Sequence, residues 1–197
     1  MANSIKGMIE ELGRNIEALA GSKVKDKVME GSEAMGGRAQ GRQTALWVKA
    51  AMDRLDKLAD KKTRAAIMEK CGVNCAKFNS GVVKDVLGRR KKYSTLEAFL
   101  EAEVKNPVEG TKLERRGSTL ILFYLPRTYA RPMRCYCVLV NDLPEDEEIS
   151  PTYCQCSRAF VRTWREAVLG KPVKVDILET ALTGSDQCRF RITMGKR

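Results

Sequence analysis

The sequence predicts an α+β fold in which a helical N-terminal half packs on a small antiparallel sheet in the C-terminal half. In residues 1–105 apolar residues recur at helical spacing, as at Ile5, Ile9 and Leu12. After Pro107 the period changes to short β-branched and aromatic runs. A chain of 197 residues with 43% apolar residues is long enough to bury a core. We therefore expect a helical region at 1–105 and an α+β metal- and ligand-binding region at 106–197, together forming one compact unit.

The apolar spacing divides the first half into several helices. We expect helices at residues 5–19, 46–59, 64–70, 82–87 and 96–104. Gly72 is expected to interrupt the third of them directly after Cys71. Ser94 and Glu97 form a capping box that is typical of the start of a helix.

The second half has the pattern of strands around one helix. We expect strands at residues 118–125, 133–140, 173–182 and 187–194, and a helix that begins at Cys156 or Ser157 and ends at Leu169. The short turn at residues 183–186 should make the last two strands an antiparallel hairpin. The predicted order is β-β-α-β-β on one sheet.

Charge and hydropathy exclude several classes of function. The net charge of +11 is spread along the chain and forms no basic tail. A basic run at residues 89–93 is typical of a solvated helix end and no nucleic-acid motif accompanies it, so nucleic acid is not an expected partner. No apolar stretch suits a signal peptide or a membrane span, which predicts a cytoplasmic protein without a membrane anchor.

Cysteine is the most informative residue type in this chain. There are seven cysteines and no histidine. An odd number of cysteines without an export signal argues against a disulfide framework and favours metal binding or redox chemistry, with buried apolar thiols as the alternative. Because histidine is absent, any catalysis would use Cys, Asp, Glu, Lys or Tyr.

Six of the cysteines form close pairs. The pairs are Cys71 with Cys75, Cys135 with Cys137 and Cys154 with Cys156, while Cys188 stands alone. Residues two apart on a strand point to the same face, and two cysteines at a helix start can converge through the turn. Such thiolate pairs suit Zn²⁺, which we expect as the cofactor, or iron in an iron–sulfur cluster. The first pair equally fits a second site or a redox role.

A family resemblance rests on three segments. Pro-Thr-Tyr-Cys-Gln-Cys-Ser-Arg-Ala-Phe at 151–160, Leu-Gly-Lys-Pro-Val at 169–173 and the run at 179–190 resemble the 4-vinyl-reductase-type domain, relatives of which serve as ligand sensors. The resemblance implies a zinc site with Cys154, Glu179 and Cys188 beside a hydrophobic pocket. Thr180 stands where those relatives have another cysteine, so Cys135 or Cys137 would replace it.

A second resemblance is carried by a shorter element. The Cys-Gly-x-x-Cys-Ala element at residues 71–76 is similar to one in small cysteine-rich microbial proteins.

Aromatic residues of the second half are candidates for the ligand pocket. We expect the walls to include Phe123, Tyr136, Phe160 and Trp164. The expected partner is a small apolar or anionic molecule, and the chain is compatible with a homodimer.

Two functions follow from these residues. The first is a metal-binding, small-molecule-binding or sensory module in which zinc ties strands and helix together. The second is an iron–sulfur or metal-dependent redox or hydrolytic enzyme that uses the paired cysteines. The sequence does not decide whether the protein is an enzyme.

Overall fold

The computed structural model describes residues 5–35, 41–128 and 133–195. Within these ranges the chain forms helices and strands in the order α1 (Ile5–Ala20), α2 (Ser22–Val28), α3 (Gly41–Leu58), α4 (Lys61–Phe78), α5 (Ser80–Arg90), α6 (Leu96–Lys105), β1 (Thr111–Arg116), β2 (Thr119–Tyr124), α7 (Gln155–Leu169), β3 (Val173–Glu179) and β4 (Cys188–Met194). Helices dominate the first half and strands occur only in the second half of this described part, so the predicted α+β fold class is confirmed.

The four strands form one antiparallel sheet in the order β1-β2-β4-β3. One row of apolar residues crosses it, because Leu113 pairs with Leu122, Leu122 with Phe190, and Phe190 with Ile177. Such neighbours share a face of the sheet. This face packs against α7 and forms the core of the C-terminal half.

The strand predicted at residues 133–140 is absent, and β1 forms instead at Thr111–Arg116. Residues 133–140 form turns and not a strand, with the Val140 N–H donating to the Cys137 carbonyl. The strand β1 was missed because its sequence, Thr-Lys-Leu-Glu-Arg-Arg, contains a single buried apolar residue, Leu113. Charged side chains are typical of an edge strand, and because of them β1 lacks the alternating apolar pattern from which strands are predicted.

The helix α4 continues through Gly72, so the predicted interruption there is wrong. Gly72 lies where α4 crosses α7. A Cβ atom at this position would overlap the Cys156 carbonyl oxygen and lie 2.7 Å from the Ala159 Cβ atom. The glycine is therefore required by close helix packing and not by a turn.

The buried apolar residues form two cores. One joins α1, α3 and α4 with residues 135–156, and includes Ile16, Met52 and Ile67. The other lies between the sheet, α5, α6 and α7, and includes Phe99 and Phe190. The cysteines lie mainly beside the first core, and a cavity opens into the second.

The start of α6 lies one residue later than the predicted capping box. Thr95 is the N-cap, and its hydroxyl accepts a hydrogen bond from the Ala98 N–H at 3.1 Å. We expect Thr95→Ala to lower the free energy of unfolding by about 1 kcal/mol because it leaves that N–H without a protein acceptor. Urea unfolding measures this change. Ser94→Ala is the matched control, and an equal loss there would contradict the placement of the cap.

No helix within these described ranges combines the length and the apolar character needed to cross a membrane.

Candidate functional site

A cavity of about 90 Å³ lies between the last helices of the first half and the sheet. Its walls come from α5, α6, the segment before β1, both strands of the first hairpin, and α7. Exposed valines from two sides, Val82 and Val108, lie where the cavity meets solvent. The complete lining comprises Val82, Val86, Arg89, Glu103, Pro107, Val108, Thr111, Leu113, Leu122, Tyr124, Trp164 and Arg165.

The least expected residue of this lining is Arg165, which is only 2% exposed. Its Nε and Nη1 atoms are buried and have no hydrogen-bond partner in the part of the chain that the structure describes. Its Cζ atom lies 3.9 Å from the centroid of the Trp164 ring. Burial lowers the pKa of Arg165 to about 10, so the side chain remains a cation at neutral pH.

A second arginine in the wall is fully engaged. Arg89 donates to both carboxylate oxygens of Glu103, at 2.9 and 3.2 Å. This bidentate pair uses the planar fork of the guanidinium and leaves Glu103 little capacity to neutralise Arg165. The charged groups of the wall therefore carry a net charge of +1, since Arg89 and Glu103 cancel.

Polar groups that can donate hydrogen bonds lie beside Arg165. The Trp164 indole N–H is buried close enough to the Tyr124 hydroxyl to lower the pKa of that phenol, but it does not meet the geometry of a full hydrogen bond to any described residue. Tyr124 packs edge-on against Tyr136 and Phe190, with ring centroids 5.4 Å apart in each pair. Burial raises the pKa of Tyr124 to about 12, so its hydroxyl keeps its proton and can donate.

The structure places the four predicted pocket residues in different surroundings. Trp164 lines the cavity. Tyr136 does not line the cavity. Its ring contacts the Tyr124 ring, and its hydroxyl donates a hydrogen bond to the Gly110 carbonyl at 2.5 Å. Phe123 lies under the Lys112 ammonium, 5.0 Å from the ring centroid, and Phe160 packs against the second core.

Sequence reasoning missed Arg165, although the sequence contains a signal for it. Arg165 is four residues after Val161 and three before Val168, and both valines are buried on α7. Residues at this spacing share one face of a helix, so Arg165 belongs to the buried face. An arginine within an apolar helix face is the type of buried polar residue that indicates a binding site.

The cysteines gather around the start of α7. The thiols of Cys71, Cys75, Cys135 and Cys137 all lie near enough to Cys156 to add to the rise in its pKa that burial causes. Cys154 and Cys188 lie deeper, at 4% and 8% exposure. The structure thus brings the predicted cysteines from α4, the turn segment, α7 and β4 into one region.

Several cysteines make hydrogen bonds with neighbouring polar side chains. The Asn15 side-chain amide donates to Cys71 at 3.3 Å, and the Cys137 sulfur lies 3.1 Å from the Tyr153 hydroxyl. The Cys154 thiol donates to the Thr180 hydroxyl at 3.4 Å, and Thr180 is the residue that stands where relatives with the 4-vinyl-reductase-type domain have another cysteine. Such contacts satisfy buried polar groups and hold the core in place.

The prediction of zinc is wrong for the part of the chain that the structure describes. No group of three or more His, Cys, Asp or Glu side chains is placed there to hold a metal ion. Nothing in the same ranges supports the iron–sulfur cluster either. With no metal bound, burial raises the pKa of every cysteine, to about 11 for Cys71 and Cys75 and about 12 for Cys154, so the thiols are protonated at neutral pH.

Glu179, the predicted acidic ligand, makes other contacts. Its Oε1 atom accepts a hydrogen bond from the Gln187 amide at 2.9 Å and lies 3.4 Å from the Arg189 guanidinium. These contacts hold the turn between β3 and β4 together. The Glu179 carboxylate is therefore engaged with side chains of its own turn.

The buried thiols should react slowly in the folded protein. A pKa raised from 9.0 to about 11 leaves about 100-fold less thiolate at pH 7.5, as for Cys71 and Cys75. We expect alkylation by iodoacetamide at pH 7.5 to be at least about 100-fold slower in buffer than in urea, where all seven thiols react. Mass spectrometry counts the modified thiols. Rapid labelling of two or more in the folded protein would contradict this electrostatic description.

A solved structure of an H-NOX protein shares this overall fold. The chain aligns with the Fe(II) unliganded H-NOX protein from K. algicida at a TM-score of 0.50 and 11% sequence identity, over 98% of this chain and 97% of that one. A mutant H-NOX protein from S. oneidensis in the Fe(II) ligation state gives a TM-score of 0.47 and 13% identity, over 98% and 97%. The protein is thus an α+β domain with an H-NOX-like fold.

Residues 3–197 match the sequence model of a family of unknown function (DUF6144), and the chain belongs to that family. No curated protein matches significantly.

These comparisons overturn the resemblance to the 4-vinyl-reductase-type domain. The family that matches is a different one, and the structural neighbours are H-NOX proteins. The segments that carried the resemblance form the start of α7, β3, the following turn and β4. Their cysteines and turn residues have packing roles here, as the contacts of Cys154 with Thr180 show.

Proposed function

We propose that the protein is a small-molecule-binding module, used for sensing, whose ligand enters the cavity beside Arg165. The observation that carries this proposal is the cavity itself, with mostly apolar walls and a few polar groups that converge in it. Binding sites for small molecules have this composition, in which apolar contacts supply affinity and the polar groups select the ligand.

The position of the cavity suits a sensor. Val82 and Val86 belong to α5 and Glu103 to α6, whereas Leu113 and Leu122 belong to the sheet. A ligand held between them contacts both halves of the chain at once. Its binding would therefore favour one arrangement of helices and sheet over others, which is the physical requirement for a signal.

An iron-bearing group does not fit this cavity, although Fe(II) is named for both H-NOX structures. Haem iron in proteins is held by His, Cys, Met or Tyr. The chain has no histidine, and of these residue types the cavity lining in the described residues offers only Tyr124. A volume of about 90 Å³ is also far below the roughly 300–1,000 Å³ of sites for larger ligands. The proposed ligand is smaller.

Thermal unfolding of the full chain in the presence of small acids, amides and alcohols tests the proposal. We expect at least one compound to raise the midpoint temperature of the wild-type protein, since a ligand that binds only the folded state stabilises it. Val82→Phe should abolish that shift, because the larger side chain narrows the cavity where it meets solvent.

Val104→Phe is the matched control for this experiment. Val104 is an exposed valine on α6, 36% accessible, that does not line the cavity. The shift should persist in this variant. A panel without any stabilising member, or a shift that survives Val82→Phe, would contradict binding in this cavity.

A further inference from the structure

We propose that the ligand of this cavity is a short-chain monocarboxylate and that the Arg165 guanidinium binds its carboxylate group. This inference rests on the proposed function and specifies the ligand's charge and size. It starts from Arg165, which is buried although two of its nitrogen atoms, Nε and Nη1, have no hydrogen-bond partner in the described residues.

Burial of a cation without an acceptor is costly, so such groups are normally paired or hydrogen-bonded. Another buried arginine of this chain shows the usual solution. Arg134, 4% exposed, donates from Nη1 and Nη2 to the carbonyl groups of Pro144, Glu147 and Ala181 at 2.8–3.2 Å. Its Nη1 atom also lies 3.5 Å from the Glu145 carboxylate, so that among the described residues only its Nε has no partner. Arg165 has no comparable set of carbonyl acceptors within the described ranges, and it lines a cavity. A bound anion would supply what the fold leaves out.

The charges that face Arg165 favour an anion over a neutral or cationic ligand. Tyr124, Glu103 and Arg89 are the titratable groups near enough to influence it. Tyr124 is neutral at pH 7, and Glu103 accepts hydrogen bonds from two of the three guanidinium nitrogens of Arg89. One positive charge therefore remains in an apolar enclosure, where electrostatic attraction is stronger than in water.

The hydrogen-bonding groups beside Arg165 also match an acceptor. The Trp164 indole nitrogen can only donate, and the protonated Tyr124 hydroxyl can donate as well. An ionised carboxylate accepts hydrogen bonds with both oxygens and can take two from one guanidinium. A ligand amine would instead meet donors and a like charge.

The volume limits the length of the ligand. A cavity of roughly 150 Å³ can bind benzene, and this one measures about 90 Å³. By that proportion about four non-hydrogen atoms fill the cavity, which corresponds to acetate, and propionate, with one more carbon, can extend towards the solvent-exposed Val82 and Val108. The apolar side chains of Val86, Leu113 and Leu122 can contact the short hydrocarbon part.

Isothermal titration of the full chain with propionate and propionamide tests this inference. The two compounds have nearly the same shape and differ in charge. We expect propionate to bind at least about 10-fold more tightly, since hydrogen bonds to charged groups contribute more than neutral ones. Nitrate, an anion without a hydrocarbon part, should bind more weakly than propionate because it does not contact the apolar wall.

Two variants with opposite expected effects provide the control. Arg165→Met should weaken propionate binding by about 10- to 100-fold and remove the preference over the amide. Glu103→Gln, which removes the negative charge of the wall, should strengthen propionate binding by about 2- to 10-fold. Thermal unfolding of each variant confirms that it is folded.

The outcomes separate this inference from the proposed function. Equal binding of propionate and propionamide, both lost in Val82→Phe, would overturn the carboxylate assignment and leave the cavity as a binding site. Propionate binding that is unchanged in Arg165→Met would overturn the role of Arg165. Absence of binding by every compound would contradict both.

Discussion

Replacing Arg165 with methionine should stabilise the ligand-free protein by about 1–3 kcal/mol. Removal of the guanidinium ends the cost of a buried cation whose Nε and Nη1 atoms lack partners in the described residues. Methionine fills a similar space and keeps contact with the apolar wall. The loss of the contact with Trp164 offsets part of the gain. Urea unfolding in a buffer without small carboxylates measures the change.

Arg134→Met is the matched control and should have the opposite sign. Both arginines are almost fully buried, but Arg134 donates to three carbonyl groups. Its removal leaves these buried acceptors without their donor and should destabilise the protein by about 3–5 kcal/mol. If both variants lose stability to a similar extent, Arg165 has a structural role and its burial gives no indication of a ligand.

Gly72→Ala should be among the most destabilising single substitutions in the chain, with a loss of about 3 kcal/mol or more. The added methyl group would overlap the backbone of Cys156 and lie 2.7 Å from the Ala159 Cβ atom. Backbone atoms cannot move aside without separating α4 from α7. Because the thiol region lies at this crossing, the separation should also accelerate alkylation of the cysteines.

Gly88→Ala tests the same substitution where space is available. Gly88 is in α5, and no atom lies within 4 Å of a Cβ placed there. Alanine is the better helix former, so this variant should gain about 0.5–1 kcal/mol. Urea unfolding of both variants compares their free energies of unfolding, and the difference between them gives the cost of the steric overlap at Gly72. A Gly72→Ala variant as stable as the wild type would contradict the close crossing of α4 and α7.

The elements with strong periodic signals could be predicted from the sequence. The helix α7 has a regular apolar face at Val161, Trp164 and Val168, and Gly170 ends it with a φ of +65°. The antiparallel pairing of β3 and β4 also agrees with the prediction from the turn after Glu179. Local patterns suffice where one face of an element is buried and the other is solvated.

Other features depend on contacts that local patterns do not contain. The strand β1 is charged because it lies at an edge of the sheet, and residues 133–140 are apolar because they cover the first core while forming turns. The spacing of the cysteines predicts close pairs, with Cys71 and Cys75 as a separate site, but it does not contain the crossing of α4 and α7 that brings this pair near Cys156.

The candidate site could likewise be predicted only in part from the sequence. Trp164 was identified as a pocket residue, and it lines the cavity. Arg165 and Tyr124 acquire their importance only from burial, which leaves a cation without an acceptor and places a phenol hydroxyl at the same cavity. Those properties belong to the packed structure and not to the residue types.

The most direct test of the binding site is the indole region of a ¹⁵N–¹H correlation spectrum during a propionate titration. The chain has two tryptophans, and Trp47→Phe assigns their signals. The Trp47 N–H donates to the Glu30 carbonyl at 2.9 Å, in the other core, whereas the Trp164 N–H lies at the cavity beside the Tyr124 hydroxyl and makes no full hydrogen bond within the described ranges. We expect the Trp164 signal to move and saturate while the Trp47 signal stays in place, and Arg165→Met to abolish the movement. A titration in which the Trp164 signal does not move, or moves equally in Arg165→Met, would contradict the proposed site.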